Sequence, residues 1–231
     1  MRNAEENGLA GMSVVRSDPV RLQVAAKIRE GITELRFRPG QLLIERELCE
    51  ATGASRASVR EALRQLESEG LVHSVPGKGT SVAGVSRQEA IDLYEVRATL
   101  ESMAGRLFAQ RASAEQREQL MECVERLKRN TDETARFMAI KDEFYAVLFA
   151  GAGNSELLRI VQTLHRRITV LRATSLSVPG RLGVSTEELE RAAKAACDGD
   201  AETAARRLVE HVEAAADAAF SVRDEADAAP A

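Results

Sequence analysis

Three arginines, Arg56, Arg60 and Arg64, recur at i, i+4, i+8 in the stretch SRASVREALRQLES. On a helix this spacing sets the guanidiniums along one face. Val59, Ala62, Leu63 and Leu66 fall at i, i+3, i+4, i+7 and make the apolar side. A guanidinium is a planar fork that donates to guanine O6 and N7 together, about 1–3 kcal/mol of base discrimination. Ser55 stands where an N-cap is needed, and the N-terminus of the helix it caps favours phosphate through free N–H groups and the dipole. A solvated helix laced with Arg–Glu pairs uses the same residue types, but Arg60 and Arg64 are like charges one turn apart. Arg46, in ERELCEAT, is placed to clamp backbone or base. Gly77-Lys78-Gly79 offers a charge on a chain that lacks Cβ atoms and can approach a minor groove closely. With Ser58 included, the DNA-binding set is Arg46, Ser55, Arg56, Ser58, Arg60, Gly77, Lys78 and Gly79.

The elements that must position these residues follow from periodicity. Residues 1–16 show none and read as a flexible arm. Ser17 caps a helix opening at Asp18-Pro19, with Val24, Ile28, Ile32 and Leu35 at helical spacing until Arg38-Pro39-Gly40 breaks it. A brief helix at about 45–52 ends at Gly53, and Ser55 begins the arginine helix. After Gly70 the period shortens: LVHSV and TSVA flank Pro76-Gly77-Lys78-Gly79 and read as a β-hairpin. The remainder is helical. Ser86-x-x-Glu89, Ser113-x-x-Gln116 and Ser185-x-x-Glu188 read as capping boxes, with helices near 87–111, 114–129, 134–149, 155–175, 186–197 and 201–221. Gly151-Ala152-Gly153-Asn154 and Ser177-Val178-Pro179-Gly180 connect them.

The expected fold is therefore mainly α. A winged helix-turn-helix with a small hairpin wing spans 17–85, an all-helical bundle spans 86–222, and a disordered tail spans 223–231.

Composition removes other classes. In 231 residues with 44% hydrophobic side chains, no apolar run approaches the roughly 20 needed to span a bilayer. The polar, acidic start lacks the form of a signal peptide. Cys49, Cys123 and Cys197 are scattered, which fits a reducing cytosol better than a disulfide framework. Aromatic content of 3% provides no stacking platform for single strands. The formal charge of -4 hides a small asymmetry: residues 1–82 carry 12 basic against 11 acidic side chains. No Ser-His-Asp, phosphate-loop or dinucleotide pattern supports catalysis. A cytoplasmic, non-enzymatic protein is expected.

Here the residues become recognisable. The chain resembles the GntR family of bacterial winged-helix regulators, in its FadR-like subfamily with an all-helical C-terminal domain (FCD). The head carries the likeness in Pro39-Gly40, Glu45-Arg46-Glu47-Leu48, Ser55-Arg56, Val59-Arg60-Glu61-Ala62-Leu63, Leu66-Glu67-x-Glu69-Gly70-Leu71 and Gly77-x-Gly79. The body carries it more loosely in Arg97-x-x-Leu100-Glu101, Phe144, Ala152-Gly153-Asn154, Gly199-Asp200 and His211. The resemblance implies a homodimer on a two-fold operator, with Arg46, Arg56, Arg60 and Gly77 reading it and Ser55 and Lys78 on the backbone. It also implies a small effector in the bundle that modulates operator affinity, as in repressors of this kind.

Most of that subfamily hold a divalent metal on one Asp and three His. Aligned on Phe144, Asn154 and Gly199-Asp200, those positions are Lys141, Tyr145, Leu189 and His211, so only His211 is kept. An ammonium, a phenol and a leucine hold a cation poorly. Asp142 points about 100° away. No metal or other cofactor is expected.

Lys141 shares an apolar face with Phe137, Phe144, Tyr145 and Leu148, and a buried lysine needs a partner or loses its charge. Either a carboxylate such as Glu101 neutralises it or a ligand supplies the anion. On the second reading Arg97, Lys141, Tyr145 and His211 form the effector set, for a carboxylate-type anion. On the first, the protein binds DNA without a ligand. A metal-binding bundle is a further alternative, needing three convergent ligands. His165 reads as a solvated residue with no role, and His73 as packing in the hairpin or touching DNA backbone.

Overall fold

The computed structural model describes residues 19–228, the side chains of residues 166 and 223–228 excepted. The arm at 1–16, the Ser17 cap and the last three residues of the chain lie outside the described residues.

The head opens with α1 (Val20–Thr33), α2 (Glu45–Thr52) and α3 (Arg56–Ser68). Pro19 is the N-cap of α1 rather than a residue inside it. Leu35, expected on the helix, lies beyond its end at a φ of 57°. Gly53 ends α2 at a φ of 68°, a conformation that costs a Cβ-bearing residue energy, and this sharp turn swings α3 across α1. Ser55 caps α3, its hydroxyl accepting from Ser58 N–H. Val24, Ile28 and Ile32 of α1 meet Val59, Leu63 and Leu66 of α3, all nearly or fully buried. Truncating such a leucine to alanine costs about 2–5 kcal/mol.

The wing is β2 (Val72–Val75) and β3 (Gly79–Val82), antiparallel with Val72 opposite Val82 and Val75 opposite Gly79. A third strand, β1 (Leu42–Leu43), pairs with the other edge of β3. Two residues are too few to show an alternating pattern, so no periodicity announces this strand.

The body contains α4 (Arg87–Arg111), α5 (Ala114–Lys128), α6 (Thr134–Gly151), α7 (Ser155–Leu176), α8 (Arg181–Cys197) and α9 (Ala201–Ala228). Ser113 and Gln116 form the full capping box expected of α5. Ser86 caps α4 by accepting from Glu89 N–H, while the Glu89 carboxylate pairs with Arg167 across the bundle. The box at Ser185 and Glu188 does not exist. After Gly180, α8 begins at Arg181, a full turn earlier, and Ser185 is wholly buried inside it. At the other end, α9 runs to Ala228, so residues 223–228 of the expected tail are helical.

Helices α4 and α9 pack along their length, with α8 against α9 and the α5–α6 pair closing the layer. Gly105 makes the α4–α9 approach possible, since a Cβ there would stand 2.5 Å from Leu208 Cδ1. Arg117 ties the frame: Nη2 donates to Ala109 O at 2.9 Å and Nη1 to Ala196 O at 3.0 Å, satisfying the ends of α4 and α8. Head and body meet where α1 rests on α6 and α7, and Val170 of α7 completes the head's core.

Candidate nucleic-acid interface and buried polar cluster

The arginine face of α3 is exposed. Arg60 is 58% exposed and Arg64 72%, with Arg56 open to solvent beside them. Arg60 Nε donates to both oxygens of Glu45, at 3.0 and 2.9 Å, which lays its guanidinium against the start of α2. Arg64 pairs with Glu61 at 2.5 Å, and Arg46, 72% exposed, lies 3.8 Å from Glu50. Each pair sits in water, where its net value is under about 1 kcal/mol, so a phosphate or base can replace the carboxylate. Ser55, Arg56, Arg60 and Arg46 share one surface, with Ser58 half-buried behind the cap. Gly77, Lys78 and Gly79 are exposed at the wing tip, where Lys78 N–H donates to Val75 O. His73 is exposed on β2, 3.1 Å from the Ser81 hydroxyl of β3.

The body holds the opposite arrangement. Arg97, Lys141, Arg172 and Arg181 are at most 6% exposed. Arg97 Nε donates to Glu101 Oε1 at 2.6 Å and Nη2 to the Tyr145 hydroxyl at 3.1 Å. Arg181 Nη2 donates to Glu188 Oε2 at 2.8 Å, and His211 Nδ1 lies 2.6 Å from the same oxygen. The Tyr145 ring lies between two guanidiniums, those of Arg97 and Arg172, each 5.8 Å from its centroid. Of the expected effector set, Arg97 and Tyr145 are bonded to each other. Lys141 and His211 lie in the same cluster but hold other partners.

Glu101 does not neutralise Lys141; it belongs to Arg97. Lys141 donates to a neutral group, Ser185 Oγ, at 3.1 Å. Burial pushes its pKa far below the usual lysine value, and Arg97, Arg172 and Arg181 push the same way. His211 is held well below its ordinary value by burial and then by Lys141 and the arginines. Burial, the largest single influence, would raise Glu101, but Arg97 and His165 together outweigh it and leave a pKa of about 2. His165 is not the solvated residue expected: it is 16% exposed, 3.6 Å from Glu101 and edge-on to Tyr145.

Several buried donors remain without a partner: Arg97 Nη1, Arg172 Nε and Nη2, Arg181 Nε and Nη1, and the Ser175 hydroxyl. Such groups cost free energy until something accepts from them. The residues at the family's metal positions do not suit a cation: Lys141 stands among Arg97, Arg172 and Arg181, which repel it, and Leu189 is wholly buried in the apolar core. Among the described residues no group of three His, Cys, Asp or Glu side chains is placed to hold a metal.

The sequence reading missed Arg172, Arg181, Ser185 and Glu188. Arg172 had a signal, a lone charge in the apolar run ITVLRATSL. Arg181 had none, because it sat in what read as a loop.

A capped, arginine-bearing helix beside a β-wing, on a helical bundle with a buried polar cluster, defines a winged-helix protein with an appended helical domain. Residues 20–82 match the bacterial regulatory proteins of the gntR family, and residues 92–214, more than half of the chain, match the FCD domain. The chain belongs to the gntR family of regulators, in its FCD-bearing branch. It is 33% identical over 137 residues to the Nta operon transcriptional regulator of Aminobacter aminovorans, covering 59% of this chain and 65% of that one. It is 29% identical over 201 residues to a probable D-xylose utilization operon transcriptional repressor of Paenarthrobacter nicotinovorans, covering 84% and 88%. The structure of Escherichia coli McbR/YncC superposes with a TM-score of 0.65 at 20% identity, over 92% of this chain and 99% of that one, a likeness of fold. No described helix is long and apolar enough to cross a membrane.

Proposed function

We propose that this protein is a cytoplasmic, homodimeric transcriptional regulator whose operator affinity is set by a small carboxylate-type anion bound in the helical body without a metal. The DNA half of the reading rests on the exposed row Arg56, Arg60 and Arg64 beside Arg46, on a helix whose capped N-terminus is open. Arg46, Ser55, Arg56, Ser58 and Arg60 approach a major groove, and Gly77, Lys78 and Gly79 the neighbouring minor groove. Two copies place two such helices on a two-fold operator, and half-site spacing follows their separation.

The effector half is carried by one observation, the spare buried donors. Arg97, Arg172 and Arg181 each meet a carboxylate, Glu101, Asp142 and Glu188, yet Arg97 Nη1, Arg172 Nε and Nη2, and Arg181 Nε and Nη1 have no partner, and Lys141 donates to the neutral Ser185 hydroxyl. An anion accepting from the spare donors removes their desolvation penalty and restores the charge on Lys141. Arg97, Lys141, Tyr145 and His211 are the residues we assign to it. To regulate, the anion must bind the two states of the dimer with different affinity.

The test is Lys141→Met, which replaces the buried amine by a side chain of similar length. It is expected to keep DNA binding and to abolish thermal stabilisation by organic acids that stabilise the wild type. An unchanged response removes Lys141 from the site. Binding of the anion should also take up protons, because it raises depressed pKa values at Lys141 and His211. Affinity therefore falls as pH rises, which calorimetry in buffers of different ionisation enthalpy measures.

A further inference from the structure

A cleft of about 1030 Å³ separates the head from the body. Ala26 and Glu30 of α1 and Glu34 just past its end stand on one wall, and Tyr145, His165 and Arg172 of α6 and α7 on the other. The outer end of the buried cluster is thus the body wall of the cleft. Arg172 is 4% exposed, and only Nη1 is paired, 2.7 Å from Asp142 Oδ1; Nε and Nη2 have no partner. Asp142 itself is 58% exposed. The deepest cation of the cleft is therefore held by a carboxylate that can swing into solvent.

The rim is richer in carboxylates. Glu30, Glu34, Glu69, Glu133 and Asp142 line the cleft against Arg29 and Arg172, with Glu30 bonded to Lys27 and Arg36, and Glu34 to Arg36, from outside the lining. Arg29 is already bound to Glu69 through two hydrogen bonds, at 2.9 and 2.7 Å. A ligand with a second negative charge meets that acidic rim unfavourably. One with a cationic nitrogen at its far end is attracted to it.

We propose that the cleft binds an aminocarboxylate, its carboxylate displacing Asp142 from Arg172 and its ammonium lying toward Glu30 of α1 and Glu133 at the start of α6. This rests on the reading of the buried cluster as an anion site and adds where the ligand enters, what it is and how it acts. Its body touches α1 on one side and α6 and α7 on the other, the same helices through which head and body meet. Occupancy then sets the attitude of the head within a single chain. Asp142 is the competitor that keeps the unliganded cleft closed to weak anions.

The probes are γ-aminobutyrate, valerate and glutarate, each with three methylenes beyond one carboxylate and ending in an ammonium, a methyl and a second carboxylate. Binding to the full chain is followed by thermal shift and calorimetry at matched ionic strength. γ-Aminobutyrate is expected to bind tightest and glutarate weakest. Asp142→Asn removes the competing charge and should tighten γ-aminobutyrate about three- to tenfold. Ala26→Trp fills the head wall at an exposed position and should abolish binding. Hydrogen exchange should slow in α1 as well as in α6 and α7. Binding that survives Ala26→Trp, ignores Asp142→Asn and is lost in Lys141→Met overturns the cleft and leaves the bundle effector site standing. Binding with glutarate tightest overturns the aminocarboxylate assignment. No binding of any probe to the wild type or Asp142→Asn overturns both the cleft and the anion reading beneath it.

Discussion

The head and the body use arginine in opposite ways. On α3 the guanidiniums stand in water with carboxylates that can be exchanged; in the bundle they are buried, Arg97 on Glu101 of its own helix and Tyr145 of α6, and Arg181 on Glu188 of its own helix. Exposed charges cost little to fold and stay available to a partner arriving from outside. Buried ones tie stability to occupancy, since each unpaired N–H is a standing penalty. One half of the protein presents its charges to a polyanion; the other, on the function proposed above, responds when a small ligand completes its hydrogen bonds.

The largest effect that can break this contrast is Glu101→Gln. It keeps the shape of the side chain but leaves Arg97, 1% exposed, without its counter-charge. Removing one member of a buried pair costs about 3–5 kcal/mol, read as a fall in the urea midpoint. The pH dependence has a definite sign. Glu101 has a pKa of about 2 in the folded protein against an ordinary 4.5. Its contribution is full above the ordinary value and lost as pH falls toward 2, so wild type loses stability across that window and the variant loses less. A variant as stable as wild type means the cluster is not the sealed, coupled unit described.

Why the halves differed in readability follows from the same contrast. The head's function resides in local pattern: a cap at Ser55, a turn at Gly53 and an arginine row at helical spacing, all within one stretch of chain. β1 escaped because it is held by pairing with a strand far along the sequence, and Leu35, read on α1, lies past its end at a φ of 57°. The body's helices were readable from their periodicity and caps, but the partners of its charges were not. Glu101 lies four residues from both Arg97 and, in expectation, within reach of Lys141; packing gave it to Arg97 and His165. Ser185 looked like a cap because Ser-x-x-Glu is a local signal, whereas α8 starts earlier and turns the hydroxyl inward to Lys141. Which side chain meets which across a bundle depends on helix rotation, and a single sequence does not state it.

Arg56→Ala tests the head at the next scale down. Loss of a base-reading fork should weaken the preferred duplex, recovered by selection from a random pool, by about 1–3 kcal/mol while random duplexes change little. The urea midpoint should stay near wild type, because Arg56 is exposed. Lys78→Ala, on the wing tip, should instead weaken all duplexes alike and lower the salt slope by about one. Equal affinity of wild type and Arg56→Ala for the selected duplex removes α3 from the groove.

The smallest expected effect makes the comparison sharpest. Glu61→Gln removes the carboxylate from Arg64 on α3 as Glu101→Gln removes it from Arg97 on α4, and both pairs are short, 2.5 and 2.6 Å. Distance therefore predicts similar consequences, and solvent predicts different ones. Arg64 keeps 72% of its surface in water and is rehydrated at once, so the stability change should lie within about 0.5 kcal/mol. Affinity for DNA should rise slightly, since a negative charge leaves the surface that faces phosphate. A loss at Glu61 as large as that at Glu101 would show that pair geometry, rather than burial, governs these charges, and the division between an exposed reading head and a sealed sensing body would fail with it.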